Sequence, residues 1–198
     1  MKNIIKNTKK GILAVVLFAT ALGYANESSF IIKNEAEKTS ITLEHVKKGN
    51  TISIIDNNGI ILYKELIEQT GLYSKGFDLT SLPDGYYFFE FDKDFEIKSI
   101  PFIVKTNTVV FKKEEETSVF KPTVRAKENL IFITKLSLNL EPLKIDLYYS
   151  NLDEYERINS EEIKGIQKIE RIYKLDVKGK YKIVFKTEGR KFEEYVNI

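Results

Sequence analysis

The sequence predicts an all-β protein: two tandem antiparallel β-sandwich domains of the immunoglobulin-like, Greek-key kind, following an export signal. Three observations predict it. A glycine-led aromatic strand occurs twice, as Gly85-Tyr86-Tyr87-Phe88-Phe89-Glu90-Phe91 and Gly179-Lys180-Tyr181-Lys182-Ile183-Val184-Phe185. Positions two, four and six after each glycine match as Tyr87/Tyr181, Phe89/Ile183 and Phe91/Phe185. Alternate residues of a strand share a face, so each triplet forms one inward stripe. Turn residues punctuate the chain at short intervals, and between them apolar and polar residues alternate with the period of a half-buried strand. An open meander is the alternative arrangement.

The first residues stand apart. Lys2, Lys6, Lys9 and Lys10 precede the apolar run Ile12–Leu22, and Gly23-Tyr24-Ala25 offers small residues before a cut at Asn26. That order reads as a secretory signal peptide over residues 1–25, with an apolar run too short for a membrane span. Its removal takes four lysines, so Lys+Arg falls from 31 to 27 against 29 acids, and the formal charge moves from +2 to −2. Nothing in that balance points to nucleic acid. With 0 cysteines there is neither a disulfide staple nor a lipid-attachment thiol. Stability must come from burial, for which 13 Phe and 11 Tyr supply area. The expected localisation is periplasm, cell surface or extracellular space.

The first domain is expected over 26–111. Ser29–Lys33 and Thr39–His45 are its opening strands, the latter setting Ile41, Leu43 and His45 against Thr42 and Glu44. Thr51–Ile55 and Ile60–Leu66 flank Asp56-Asn57-Asn58-Gly59, where Asn-Gly predicts a tight primed hairpin with positive φ at both residues. Phe77-Asp78-Leu79 leads through the Leu82-Pro83-Asp84-Gly85 turn into the aromatic strand. Asp92-Lys93-Asp94 turns the chain into Phe95–Val104. The stretch 112–117, Lys-Lys-Glu-Glu-Glu-Thr, reads as a solvated linker.

The second domain, 118–198, repeats the order. Leu130–Leu140 and Leu143–Ser150 are strand-like, with Ile131 and Ile133 inward and Leu136 a further inward candidate. Asn151-Leu152-Asp153 turns into Glu154–Ile158, and Ser160–Gly165 offers a serine cap for a short helix. Ile166–Leu175 precedes the repeat strand, and Glu188-Gly189 predicts a hairpin into Lys191–Ile198. Upstream of the glycines, Phe77-Asp78-Leu79 corresponds to Tyr173-Lys174-Leu175.

The stretch from Ile52 to Val104 resembles the C-terminal sorting domains of proteins exported by the type IX secretion system of Gram-negative bacteria. Related small secreted proteins of unknown role are similar. The residues that carry the likeness are Asp56-Asn57-Asn58-Gly59 between its strands, Phe77-Asp78-Leu79-Thr80-Ser81-Leu82-Pro83-Asp84-Gly85-Tyr86-Tyr87-Phe88, and Pro101-Phe102-Ile103-Val104. The second domain keeps only the Gly179-Lys180-Tyr181 strand. The resemblance implies an immunoglobulin-like fold and export through that system.

Chemistry is sparse. One histidine, His45, and no cysteine leave no zinc-type cluster or Cys/His pair within the chain. No G-x-S-x-G elbow or phosphate-cradling glycine motif occurs. Asp56-Asn57-Asn58-Gly59 and Asp92-Lys93-Asp94 carry too few spaced oxygens for a calcium loop, and the acids otherwise fall at turns and outer positions. No catalytic residue, metal or cofactor is expected. Tyr86 and Phe88 are the candidate binding residues, since they occupy the face that the second copy fills with Lys180 and Lys182. The expected function is non-enzymatic: envelope structure, adhesion or contact with a protein or cell-surface component, the latter through an exposed sheet edge. Small-ligand or carbohydrate binding through an aromatic face or loops is the alternative.

Overall fold

The computed structural model describes residues 30–35, 38–151 and 154–198, so the signal-peptide segment lies outside the described residues. Sixteen strands are formed by the described residues. The first nine are β1 (Phe30–Glu35), β2 (Lys38–Val46), β3 (Thr51–Asp56), β4 (Ile61–Leu66), β5 (Gly71–Phe77), β6 (Gly85–Asp92), β7 (Glu96–Lys105), β8 (Thr108–Phe111) and β9 (Thr117–Phe120). The rest are β10 (Thr123–Lys127), β11 (Leu130–Leu136), β12 (Leu143–Asn151), β13 (Glu154–Ile163), β14 (Lys168–Lys174), β15 (Lys180–Thr187) and β16 (Arg190–Asn197). Two compact units divide between Val119 and Phe120.

In the first unit one sheet has the order β1-β2-β5 and the other β4-β3-β6-β7-β8, with β9 also paired to β7. In the second unit the orders are β10-β11-β14 and β13-β12-β15-β16. Counting from the start of each unit, the strand order is the same: first-second-fifth against fourth-third-sixth-seventh. Neighbouring strands along both sheet orders of each unit run antiparallel, so each unit is a Greek-key sandwich with immunoglobulin-like topology. The repeated glycine-led segments are the sixth strand of each unit.

Their inward triplets sit at the centre of the two cores. Tyr87, Phe89 and Phe91 pack with Ile41, Leu43 and Phe102. Tyr181, Ile183 and Phe185 pack with Ile131, Ile145 and Leu147. Each fully buried Phe or Ile of this kind contributes about 1.5–3 kcal/mol relative to exposure. The tyrosine opening each triplet does a second job. Tyr87 donates its hydroxyl to the Pro83 carbonyl at 2.8 Å, and Tyr181 donates to the Val177 carbonyl at 2.5 Å. Both bonds reach four residues upstream and pin the crossover into the sixth strand, which is the tyrosine corner of such sandwiches.

Several local expectations are corrected. The Asn57-Asn58 pair has ordinary backbone angles; only Gly59 has positive φ (+82°), and the Gly59 amide donates to the Asp56 carbonyl. This is a type I turn followed by a glycine bulge, not a primed turn. The shift falls in the β3–β4 register at Ile54/Ile55. The Glu188-Gly189 hairpin does have positive φ at both residues. His45 is exposed with φ +57°, at a register irregularity of β2, and Val46 takes the inward place instead. Ser160–Ile163 continues β13 rather than forming a helix. Leu136 faces outward, and Lys135 holds the inward position with its Nζ 2.9 Å from Glu188 Oε1. Residues 113–117 are solvent-exposed, and the 112–117 stretch is locally ordered: Lys113–Glu115 is a 3-10 turn, the Lys112 amide donates to the Pro101 carbonyl, and Lys98 pairs with Glu116.

Candidate binding faces

Tyr86 and Phe88 lie on β6 with their side chains opposite the core triplet, on the outer face of the first unit's larger sheet. Cross-strand register extends each of them into an apolar row. Phe88 pairs with Ile55 on one side and Pro101 on the other, and Ile55 pairs with Ile61 of β4. Tyr86 pairs with Ile103, which pairs with Val110 of β8. The two rings meet edge to face with centroids 5.4 Å apart. Both are half-buried rather than open. The cause is local: Tyr86 donates its hydroxyl to Glu115 at 2.9 Å, which raises the Tyr86 pKa, and the 112–116 segment is tied to Pro101 beside it. The Val110 end of the band stays exposed, above a shallow cavity of about 410 Å³ whose rim includes Lys105 and Lys112.

At the other end, β4 is the outermost strand of its sheet and β5 the outermost of the opposing one. Inward side chains close the gap between them. The Glu65 Oε2 accepts from the hydroxyls of Tyr63 and Tyr73 and from the Lys75 ammonium. Lys75 first, then Tyr63, holds the Glu65 carboxyl below its ordinary value, while burial above all raises Tyr73. Inward charge on outer strands is a recognised guard against indiscriminate pairing. Outward, however, the surface is aliphatic: Ile60 58%, Ile61 53%, Leu62 46%, Leu66 56% and Leu72 70% exposed. Lys64 stands exposed between Leu62 and Leu66.

The second unit presents aromatics that strand-by-strand reading missed. On the outer face of its larger sheet, Tyr148 pairs across to Lys182, and Lys182 pairs to Tyr195. The Lys182 ammonium sits 4.8 Å from the ring centres of both Tyr148 and Tyr155. Tyr155 and Tyr195 are in edge contact at 6.1 Å, and Tyr195 is 60% exposed. The rings come from β12, β13 and β16, so no single stretch of sequence displays them together. Asp146 on the same face corrects the expectation that acids are simply solvated. It is buried, accepts from the Ser160 hydroxyl at 2.6 Å and lies 3.9 Å from Arg157.

Elsewhere the candidate chemistry is occupied by the fold. The Asp56 carboxylate accepts the amides of Asn58 and Ile60, both at 2.8 Å, and Asp94 meets Lys47 at 2.8 Å. Among the described residues no three His, Cys, Asp or Glu side chains cluster as a metal site.

No protein-family profile and no curated protein matches the chain. Among solved structures it is similar to a biofilm-associated protein's BSP domain, at 11% identity and TM-score 0.29, over 86% of this chain and 29% of that one. The human OSCAR ligand-binding domain is similar at 8% identity and TM-score 0.27, over 86% and 97%. Red sea bream transglutaminase is similar at 9% identity and TM-score 0.25, over 86% and 31%. The chain thus spans less than a third of the first and third of these. Likeness this distant leaves the functional reading to the residues themselves.

Proposed function

We propose that this is a non-enzymatic exported protein whose tandem sandwiches attach to a partner protein at the cell surface or envelope, by accepting a partner strand along β4. One observation carries the reading: β4 has an unpaired outer side among the described residues and a row of exposed aliphatic side chains flanking it. Backbone bonds supply affinity in strand addition, and side chains on alternate positions supply selectivity. Leu62 and Leu66 with Lys64 between them suit a partner strand of apolar–acidic–apolar pattern. His45 at an exposed irregularity and Asp56 engaged in a turn support the non-enzymatic reading. Export through the type IX route, with cleavage after Ala25, belongs to the same proposal. No helix among the described residues is long and apolar enough to cross a membrane. Recovery of an intact 1–25 segment in the inner membrane would count against the cleavage.

The test is photo-crosslinking from position 64 on living cells, with a Leu62→Lys, Leu66→Lys variant as comparison. A discrete protein adduct that the double variant loses supports strand addition. The opposing result is saturable binding on a glycan array that Tyr86→Ala and Phe88→Ala abolish and the double variant retains. That outcome would replace the reading with carbohydrate binding on the outer aromatic band.

A further inference from the structure

The outer face of the second unit's larger sheet carries an arrangement that packing does not explain. Direct cross-strand pairs line up Glu162 of β13, Lys144 of β12, Lys186 of β15 and Lys191 of β16 in one row. Three ammonium groups therefore sit on adjacent strands in directly opposed positions, a placement that costs stability through repulsion. The nearby acids relieve it only at Lys191. Glu162 is engaged by Lys164 at 2.9 Å and Glu188 by Lys135 at 2.9 Å. Glu193 is engaged by Lys191 at 2.5 Å and by the Tyr195 hydroxyl at 2.9 Å. Lys144 and Lys186 have no ion-pair partner among the described residues. The row lines an open cavity of about 440 Å³, with Arg190 on its wall.

Four residues along β15 from Lys186, at about 3.3 Å per residue or ~13 Å, comes the second cationic point. This is Lys182, held between the rings of Tyr148 and Tyr155 with Tyr195 beside them. The row between the two is acidic: Asp146 and Glu193 both pair across to Val184. Positive, negative and positive bands thus alternate along the strands, and the far positive band is floored with rings.

We propose that this face binds an acidic polysaccharide bearing carboxylate groups, one of them seated against Lys144 and Lys186 and a further one at Lys182, where the exposed Tyr155 and Tyr195 stack on the adjoining sugar face. The banding selects the occupant. A duplex nucleic acid carries a charge every ~1.7 Å of its axis and would set phosphates against the exposed Glu193. A carboxylated glycan spaces its charges with neutral rings, so it can meet both cationic bands and span the acidic one. Tyrosine offers the sugar an apolar ring face with a polar tip. This site is independent of the β4 edge, and each proposal stands or falls by its own variants.

The experiment titrates the purified protein with polygalacturonate, neutral dextran and duplex DNA at low and raised salt. Saturable polygalacturonate binding is expected, weakened by salt because exposed charges are screened, with no binding to dextran. Lys144→Gln with Lys186→Gln weakens it about tenfold or more, as loss of two charge-assisted contacts requires. Lys182→Gln weakens it as well, and Lys174→Gln, on the opposite sheet, leaves it unchanged. Because the double variant relieves repulsion, its unfolding temperature does not fall, which separates lost binding from lost fold. Binding indifferent to Lys144, Lys186 and Lys182, or duplex DNA bound more tightly than polygalacturonate, overturns the proposal.

Discussion

Replacing Glu188 by glutamine leaves the Lys135 ammonium almost alone in the second unit's interior. The Lys135 side chain is 0% exposed, and besides Glu188 at 2.9 Å its Nζ has the Leu136 carbonyl at 3.2 Å. Removing one member of a buried ion pair costs about 3–5 kcal/mol, since the other charge stays desolvated. Glu188 keeps 19% exposure, so water reaches that end of the pair, and the lower value of ~3 kcal/mol is expected. For a domain of this size that lowers the unfolding temperature by about 12–24 °C. Glutamine occupies the same positive-φ position as the native residue, so turn strain cancels in the comparison. Adding Lys135→Met removes the stranded charge and fills its channel with an apolar side chain; the double variant should return to within ~1 kcal/mol of the native protein. Urea unfolding followed by tyrosine fluorescence and near-ultraviolet dichroism supplies the four corners of the cycle. A Glu188→Gln cost below ~1 kcal/mol, or a double variant no more stable than the single one, refutes the reasoning.

Two further outcomes follow from single groups. The Thr187 hydroxyl is buried with no hydrogen-bond partner among the described residues; Thr187→Val, of the same shape, should raise stability by about 1 kcal/mol in the same urea assay, and a loss would mean the hydroxyl is satisfied in solution. Glu65 has its folded pKa lowered from the ordinary 4.5, chiefly by Lys75. Its contribution is therefore complete above 4.5 and lost as pH falls below that value through the folded pKa. The native protein should lose stability over that acid interval more steeply than Glu65→Gln, and parallel pH profiles of the two would remove Glu65 from the acid response.

The inward stripes were legible because period-two alternation and a glycine start are properties of one strand: Tyr87, Phe89 and Phe91 announce their face without any neighbour. The turn at Asp56 was legible as a turn, yet its type depended on the bulge at Ile54/Ile55, which belongs to the pairing of two strands. His45 was misplaced for the same reason, since an irregularity in β2 hands the inward position to Val46. Lys135 breaks the rule that inward means apolar, and only its partner 53 residues away explains it. The outer band through Tyr86 and Phe88 was half visible: the two rings are in one strand, but Ile61, Ile103 and Val110 join them only through register. The tyrosine cluster around Lys182 was invisible, because three strands contribute one ring each.

Tandem units with one strand order face a hazard during folding, since a strand from one half can insert into the other and trap a misassembled chain. The divergence between the sixth strands works against such an exchange. With β15 in the place of β6, Ile183 would leave unfilled much of the space that Phe89 occupies, and Lys180 and Lys182 would replace the Tyr86–Phe88 ring pair beneath the 112–116 segment. The reverse exchange would crowd a phenylalanine into the slot of Ile183. Each half thus rejects its sibling's strand by volume and by charge, which lets a duplicated architecture fold without mixing its parts.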